Sequence, residues 1–197
     1  MATSTPWGLS QQSNQIARGI VNYSTAGHGG IHLTRSRVAS MPAALQLYLQ
    51  KTGGITSKGD AWLEEDEQWA FACIAFPSEF DERDQKYAER TLRDSFPDAW
   101  EAFYGRKLSP GESVERDRET FYSAHRESLL VITAWGSWAP NVPKGMVGVC
   151  ARKGGWQQPS DGTESFWLVP DAEYEARTGL AFVVDPTRHQ AMNGKPF

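Results

Sequence analysis

The chain has 197 residues, 40% of them hydrophobic and 22% charged, a composition that builds a packed core and excludes a disordered polymer. Twenty basic residues stand against 24 acidic ones, giving a formal charge of -4 at pH 7. That balance excludes a chain-wide electrostatic grip on nucleic acid, and it is too weak for a mimic of DNA by bulk charge. Eight tryptophans are the compositional oddity, and such side chains either anchor cores or form binding hot spots. The two cysteines, Cys73 and Cys150, form no CxxC pair, which excludes a cysteine-based zinc site. Both lie in apolar runs, where a thiol behaves as a small buried hydrophobe. The first ten residues carry neither a charged nor an apolar leader region, and no apolar run approaches transmembrane length. The expectation is a cytoplasmic protein with no membrane partner.

In chain order, Thr5-Pro6-Trp7-Gly8 predicts a turn, with Trp7 docked on the body. Residues 19–24 and 31–35 are β-prone and flank a glycine-bearing connection, which predicts a hairpin with His28 at or beside its tip. Pro42 starts a short helix that Gly53 and Gly54 end. Residues 61–76 read as a helix with Asp60 as its N-cap, acidic residues in its first turns, and a stripe of Trp62, Trp69, Cys73 and Phe76. The stripe has a gap at Glu65 and Asp66. A third helix covers 79–96. A fourth, 97–104, is opened by Pro97 and closed by Gly105. The charge-rich residues 112–126 form a fifth, exposed helix.

From Ser128 the pattern changes to strands, at 129–138, 145–153, 165–169 and 180–185, with a short helix at 170–177. Segregated runs of this kind predict an α+β fold: one mainly antiparallel, twisted sheet of about six strands with helices packed on one face. The expected organisation is a single domain over 1–197. It comprises an N-terminal hairpin (19–35), a helical segment (41–126), a strand meander (128–185) and a tail (186–197).

Several segments together carry a resemblance. They are Thr5-Pro6-Trp7-Gly8, residues 16–20 and 23–30, Trp62-Leu63-Glu64-Glu65-Asp66, Ala134-Trp135-Gly136-Ser137-Trp138 and residues 142–148. The chain resembles a bacterial domain family of unknown function found in chromosomal, plasmid and phage contexts. The resemblance implies a genomic context and no particular chemistry. Small proteins of phages and plasmids often bind host proteins, including defence systems such as CRISPR or restriction.

The candidate chemistry centres on His28. A histidine held between glycines could serve as a general base, with Glu65 or Asp66 as its orienting carboxylate. The same arrangement also suits a structural clasp between hairpin and helix. His28 with His32 and Asp66 as metal ligands is disfavoured, because their spacing aligns histidines only on a helix. No metal and no cofactor are expected. Gly27-His28-Gly29-Gly30 lacks the Lys-Ser/Thr of a phosphate-binding loop, and no G-x-S-x-G is present. A cysteine nucleophile paired with His28, His125 or His189 is disfavoured by the apolar surroundings of both thiols.

The candidate binding residues are Trp135, Trp138, Asn141, Val142, Arg152, Lys153 and Trp156, on the C-terminal strands and the loop between Pro140 and Pro143. Arg152 and Lys153 beside Trp156 could also contact nucleic acid, although that cluster is small. The leading expectation is a non-enzymatic interaction protein, carried by a mobile element, that binds a host protein or nucleoprotein complex. The alternative is a small hydrolase centred on His28 with Glu65 or Asp66.

Overall fold

A computed structural model describes residues 2–159, 162, 164–177 and 180–195. The chain forms two compact units, Met1–Asp117 and Arg118–Phe197, and passes from one to the other within a helix. The architecture is α+β with antiparallel sheets, as the segregated pattern predicts.

In the N-terminal unit, β1 (Ser4–Thr5) and β2 (Gly8–Leu9) form a two-stranded ribbon around Pro6 and Trp7. Strands β3 (Gln12–Ala17), β4 (Ile20–Ser24), β5 (Gly29–Leu33) and β6 (Ala61–Glu64) make a four-stranded antiparallel sheet in that order. Helices α1 (Arg35–Ala39) and α2 (Ala43–Lys51) lie between β5 and β6. Then follow α3 (Trp69–Ala75), a 3-10 turn at Pro77–Glu79, α4 (Glu82–Ser95), α5 (Pro97–Tyr104) and α6 (Val114–Ala124).

Side chains alternate across the sheet. Ile20, Ile31, Leu33, Ala61 and Leu63 face the helices and pack with Leu45, Leu49, Phe71, Cys73, Leu92 and Trp100. The opposite face is aromatic. His32 pairs with Trp62 across the β5–β6 ladder, and their rings lie 4.3 Å apart. Tyr23 and Trp7 pack on Trp62 at 5.5 and 6.0 Å.

The helix expected over 61–76 is replaced by two elements. Residues 61–64 extend as β6, with Ala61 and Leu63 buried and Trp62 turned to the other face. Pairing with the open edge of β5 overrides helix propensity here, and α3 begins only at Trp69. Asp60 does not cap a helix; its carboxylate is engaged by His32 Nε2 at 2.9 Å and by the Thr56 hydroxyl.

The helix expected over 97–104 forms with Pro97 in its first turn and Gly105 left-handed at φ 70°, as the two punctuating residues require. Helix α4 starts three residues later than expected, because Asp81 Oδ1 accepts the Asp84 N–H at 2.8 Å. Removing this cap with Asp81→Ala should cost about 1 kcal/mol of stability, read as a lowered midpoint in urea unfolding with an unchanged slope.

In the C-terminal unit, β7 (Leu129–Trp135), β8 (Met146–Lys153), β9 (Ser165–Pro170), β10 (Val183–Val184) and β11 (Gln190–Ala191) form a five-stranded antiparallel sheet. Its order is β10-β7-β8-β9-β11, with α7 (Asp171–Glu175) after β9. One face buries Val147, Val149, Ala151, Val169, Phe182 and Val184. A second cluster joins Ala139, Val142 and Leu168 with Trp135 and Met146. The strands therefore divide among several sheets rather than one. The hairpin β4–β5 already has both flanks paired, by β3 and β6, and does not continue into the C-terminal meander. Of the described residues, no helix is long and apolar enough to cross a membrane.

Candidate functional site

The turn that carries His28 is locked by its own backbone. The Thr25 N–H and hydroxyl both donate to the His28 carbonyl at 2.8 Å, and the His28 N–H returns to Thr25 Oγ1 at 3.2 Å. The next residues enter β5, where Gly30 sits directly opposite Glu64 on β6. Each glycine in this stretch makes room for a specific neighbour. A Cβ on Gly29 would fall 2.5 Å from Glu65 Oε2, and one on Gly30 would fall 2.2 Å from the Leu63 carbonyl oxygen and 2.4 Å from the Trp7 ring. The glycines thus admit a carboxylate and an indole rather than serving only the bend.

The result is a cluster of His28, Glu64 and Glu65, with one ligand-type atom from each lying within 4.8 Å of the others. His28 Nδ1 is 3.8 Å from Glu64 Oε1, too far for a hydrogen bond. Glu64 Oε1 is buried and has no hydrogen-bond partner, while Glu64 Oε2 accepts the Asp66 N–H at 2.9 Å. The Glu65 N–H donates to the Gly29 carbonyl at 3.1 Å, which places its carboxylate beside the turn.

Of the carboxylates expected to face His28, Glu65 is therefore in the cluster. Asp66 enters only through its backbone, and Glu64 takes the direct position. The metal set His28–His32–Asp66 does not assemble, since His32 points to Asp60. Glu65 also lines a cleft of about 300 Å³ with Ile16, Asn22, Trp69, Phe80 and Asp84.

A family model described as a domain of unknown function, DUF7007, matches residues 1–126. The chain belongs to this family. No curated protein and no solved structure matches it. The DUF7007 match contains the turn, β5, β6 and the whole cluster. It ends before β7, so the tryptophan-bearing strands and their motifs lie outside the matched residues.

Those strands place the expected binding residues in different settings. Trp138 is 77% exposed and Trp156 66% exposed, and Asn141 is exposed between them in the chain. Trp135 is half-buried against Phe166. Val142 is buried with Ala139 and Leu168, so it anchors its loop instead of contacting a partner. Arg152 is buried as well: its Nε donates to the Gly155 carbonyl at 3.1 Å, and its guanidinium lies 5.2 Å from the Trp156 ring centre. Lys153 pairs with Glu127. Neither cation is held out toward a phosphate.

The register also separates the two exposed indoles. Trp135 pairs with Gly148 at one end of the β7–β8 ladder, and Leu129 pairs with Lys153 at the other. Trp138 follows the first end and Trp156 the second, about 20 Å apart along the strands. They do not form a single patch.

Both cysteines are unsuited to nucleophilic work. Burial pushes the Cys73 thiol up to about 12, with Asp84 and Asp81 adding to the effect. Burial and Glu164 raise Cys150. His189 is engaged by the Asp185 N–H at 2.9 Å and by Glu173 at 3.3 Å, and His125 lies 3.3 Å from the Ser128 hydroxyl.

A larger cleft of about 790 Å³ lies between α2 and α5, lined in part by Leu47, Tyr48, Lys51, Glu101, Arg106 and Lys107. Arg106 forms a two-point ion pair with Glu112, and Lys107 pairs with Glu101, so those cations are satisfied within the unit.

Proposed function

We propose that the protein is a non-enzymatic interaction protein that docks a partner protein through Trp138. The observation that carries this reading is the way the indole is held. Its loop is pinned from below by buried Ala139 and Val142, and the Ala139 and Val142 N–H groups close consecutive turns on Gly136 and Ala139 at 3.0 Å. The indole itself lies beside the Cα of Gly136, where a side chain would come within 3.1 Å of it. A large, exposed aromatic side chain carried on a pinned loop is the usual anchor of a protein–protein hot spot.

A protein is favoured over nucleic acid because residues 118–197 carry as many acidic as basic side chains. Such a surface sets up no field for a polyanion. That the partner belongs to a host cell, and that the gene is carried by a mobile element and counters a defence system, rests on the family resemblance and on no feature of the geometry.

Trp138→Ala should leave the melting temperature within about 2 °C of wild type, since the ring packs on little. It should weaken the complex about 30-fold, or about 2 kcal/mol. The test is a comparison of wild-type and Trp138→Ala baits, followed by a binding titration with the purified partner. Equal affinity for the two baits, or no partner that distinguishes them, contradicts the reading.

A second reading has one observation in its favour. The His28–Glu64–Glu65 cluster adjoins the cleft that Glu65 lines, which suits a small hydrolase centred on His28. That reading requires His28→Ala to abolish a biological effect while leaving the melting temperature unchanged.

A further inference from the structure

We infer that His28, Glu64 and Glu65 bind a divalent transition-metal ion, at a site independent of the Trp138 surface. Three features of the cluster point to a cation. The first is geometry: an imidazole and two carboxylates present ligand atoms within 4.8 Å of one another, a set that a shift of about 1 Å brings to the spacing of zinc or manganese donors.

The second is the buried Glu64 Oε1. It has no hydrogen-bond partner, although its twin oxygen is fixed by the Asp66 N–H. The side chain is 28% exposed overall, so this oxygen is the unpaired end of a carboxylate at the surface edge, and a cation beside it would complete its bonding. The nearest titratable group is His28 Nδ1 at 3.8 Å, close enough to share an ion and too far to donate a proton.

The third is charge. Among the described residues no lysine or arginine pairs with Glu64 or Glu65, and the nearest ionisable partner of Glu64 is His28 at 3.8 Å. A divalent ion placed between the two carboxylates and the imidazole supplies the positive charge that the protein does not.

The scaffold holds the ligands without help from the ion. Glu64 is fixed by the β5–β6 ladder, His28 by the Thr25 turn, and Glu65 by its N–H bond to Gly29, whose missing Cβ leaves space for the carboxylate. The donor set of one nitrogen and two oxygens suits Zn²⁺ or Mn²⁺ better than Ca²⁺, which takes six or more oxygens. Three protein ligands leave at least one coordination position open, and His28, 58% exposed, lies on the solvent side.

The test is calorimetric titration of the chelator-treated full chain with Zn²⁺, for wild type and for His28→Ala, Glu64→Gln and Glu65→Gln. The expected result is one ion per chain, bound about 10-fold or more weakly by each variant. Affinity should fall in acid, because imidazole binds metal only when deprotonated. Circular dichroism of each ion-free variant reports its fold, and the exposed positions 28 and 65 keep the test valid if Glu64→Gln is misfolded. Co²⁺ in place of Zn²⁺ should show no thiolate charge-transfer band. The inference is overturned by no saturable binding, by equal affinity in wild type, His28→Ala and Glu65→Gln, or by a thiolate band that assigns the ion to a cysteine.

Discussion

Gly30→Ala should lower the stability of the N-terminal unit by about 3 kcal/mol, at the upper end of what one added methyl costs in a packed site. The new Cβ would fall 2.2 Å from the Leu63 carbonyl oxygen and 2.4 Å from the Trp7 ring. The oxygen belongs to β6, directly across the ladder, and cannot retreat without breaking the Gly30–Glu64 and Ile31–Leu63 pairing. The indole could swing out, but Trp7 would then leave Trp62, which it meets edge-on at 6.0 Å. Thermal unfolding followed by near-ultraviolet circular dichroism checks both parts. The midpoint should drop by about 10 °C or more, and the aromatic signal should change even in the folded state. By contrast Gly27→Ala, where a Cβ would meet nothing within 4 Å, should be close to neutral. A similar effect at both positions would mean that the glycines serve only the bend.

Glu101→Gln should cost about 2 kcal/mol at neutral pH, within the range for losing hydrogen bonds between charged groups. Glu101 is 8% exposed. It accepts the Leu108 N–H at 3.0 Å and faces Lys107 Nζ at 2.6 Å and Arg116 at 3.2 Å. Burial on its own would raise the carboxyl. The Lys107 ammonium, the Leu108 N–H and Arg116 outweigh it and hold the group below the usual glutamate range. Arg116, three-quarters buried, keeps Asp98 as a second partner, and Lys107 is 87% exposed and can turn to solvent, so neither cation is stranded when the Glu101 charge is removed.

The pH dependence follows from the sign of the shift. A depressed folded pKa adds stability that is present above the unfolded value of about 4.3 and is lost as the pH falls through the folded value. The gap between wild type and Glu101→Gln should therefore be constant near neutrality and close in acid. Urea unfolding across that range measures it. A gap that persists in acid would mean that packing, not charge, accounts for the loss.

What the sequence made legible followed local chemistry. Helix α5 could be placed at both ends because Pro97 and Gly105 act on the backbone alone. The β4–β5 hairpin was legible because glycines separate two β-prone runs. Strand β3 was missed because Gln12-Ser13-Asn14-Gln15 is exposed along most of its length and offers no apolar alternation. Strand β6 was misread because four residues are too few for period-two alternation to outweigh the acidic run behind it, while the decisive pairing with β5 comes from about 30 residues away in the chain.

That one error displaced the candidate site. On a helix, the gap in the apolar stripe points to Glu65 and Asp66. On a strand, the register puts Glu64 opposite Gly30, and Glu64 becomes the carboxylate nearest His28. The tryptophans show the same limit. Composition identified Trp138 and Trp156 as unusual, but only the β7–β8 register sends them to opposite ends of a ladder. Val142, between two prolines, read as part of a protrusion, and it is the buried foot of the loop instead.

The glycine–histidine turn brings His28 beside Glu64 and Glu65, the three ligands of the proposed cation site. The most direct measurement is nitrogen NMR of histidine-labelled protein during titration with Zn²⁺. The account predicts that His28 Nδ1, the nitrogen facing Glu64, shifts on adding one equivalent, while His32, His125 and His189 keep their free resonances. A shift at His32 in place of His28, or no histidine shift at saturation, would contradict it.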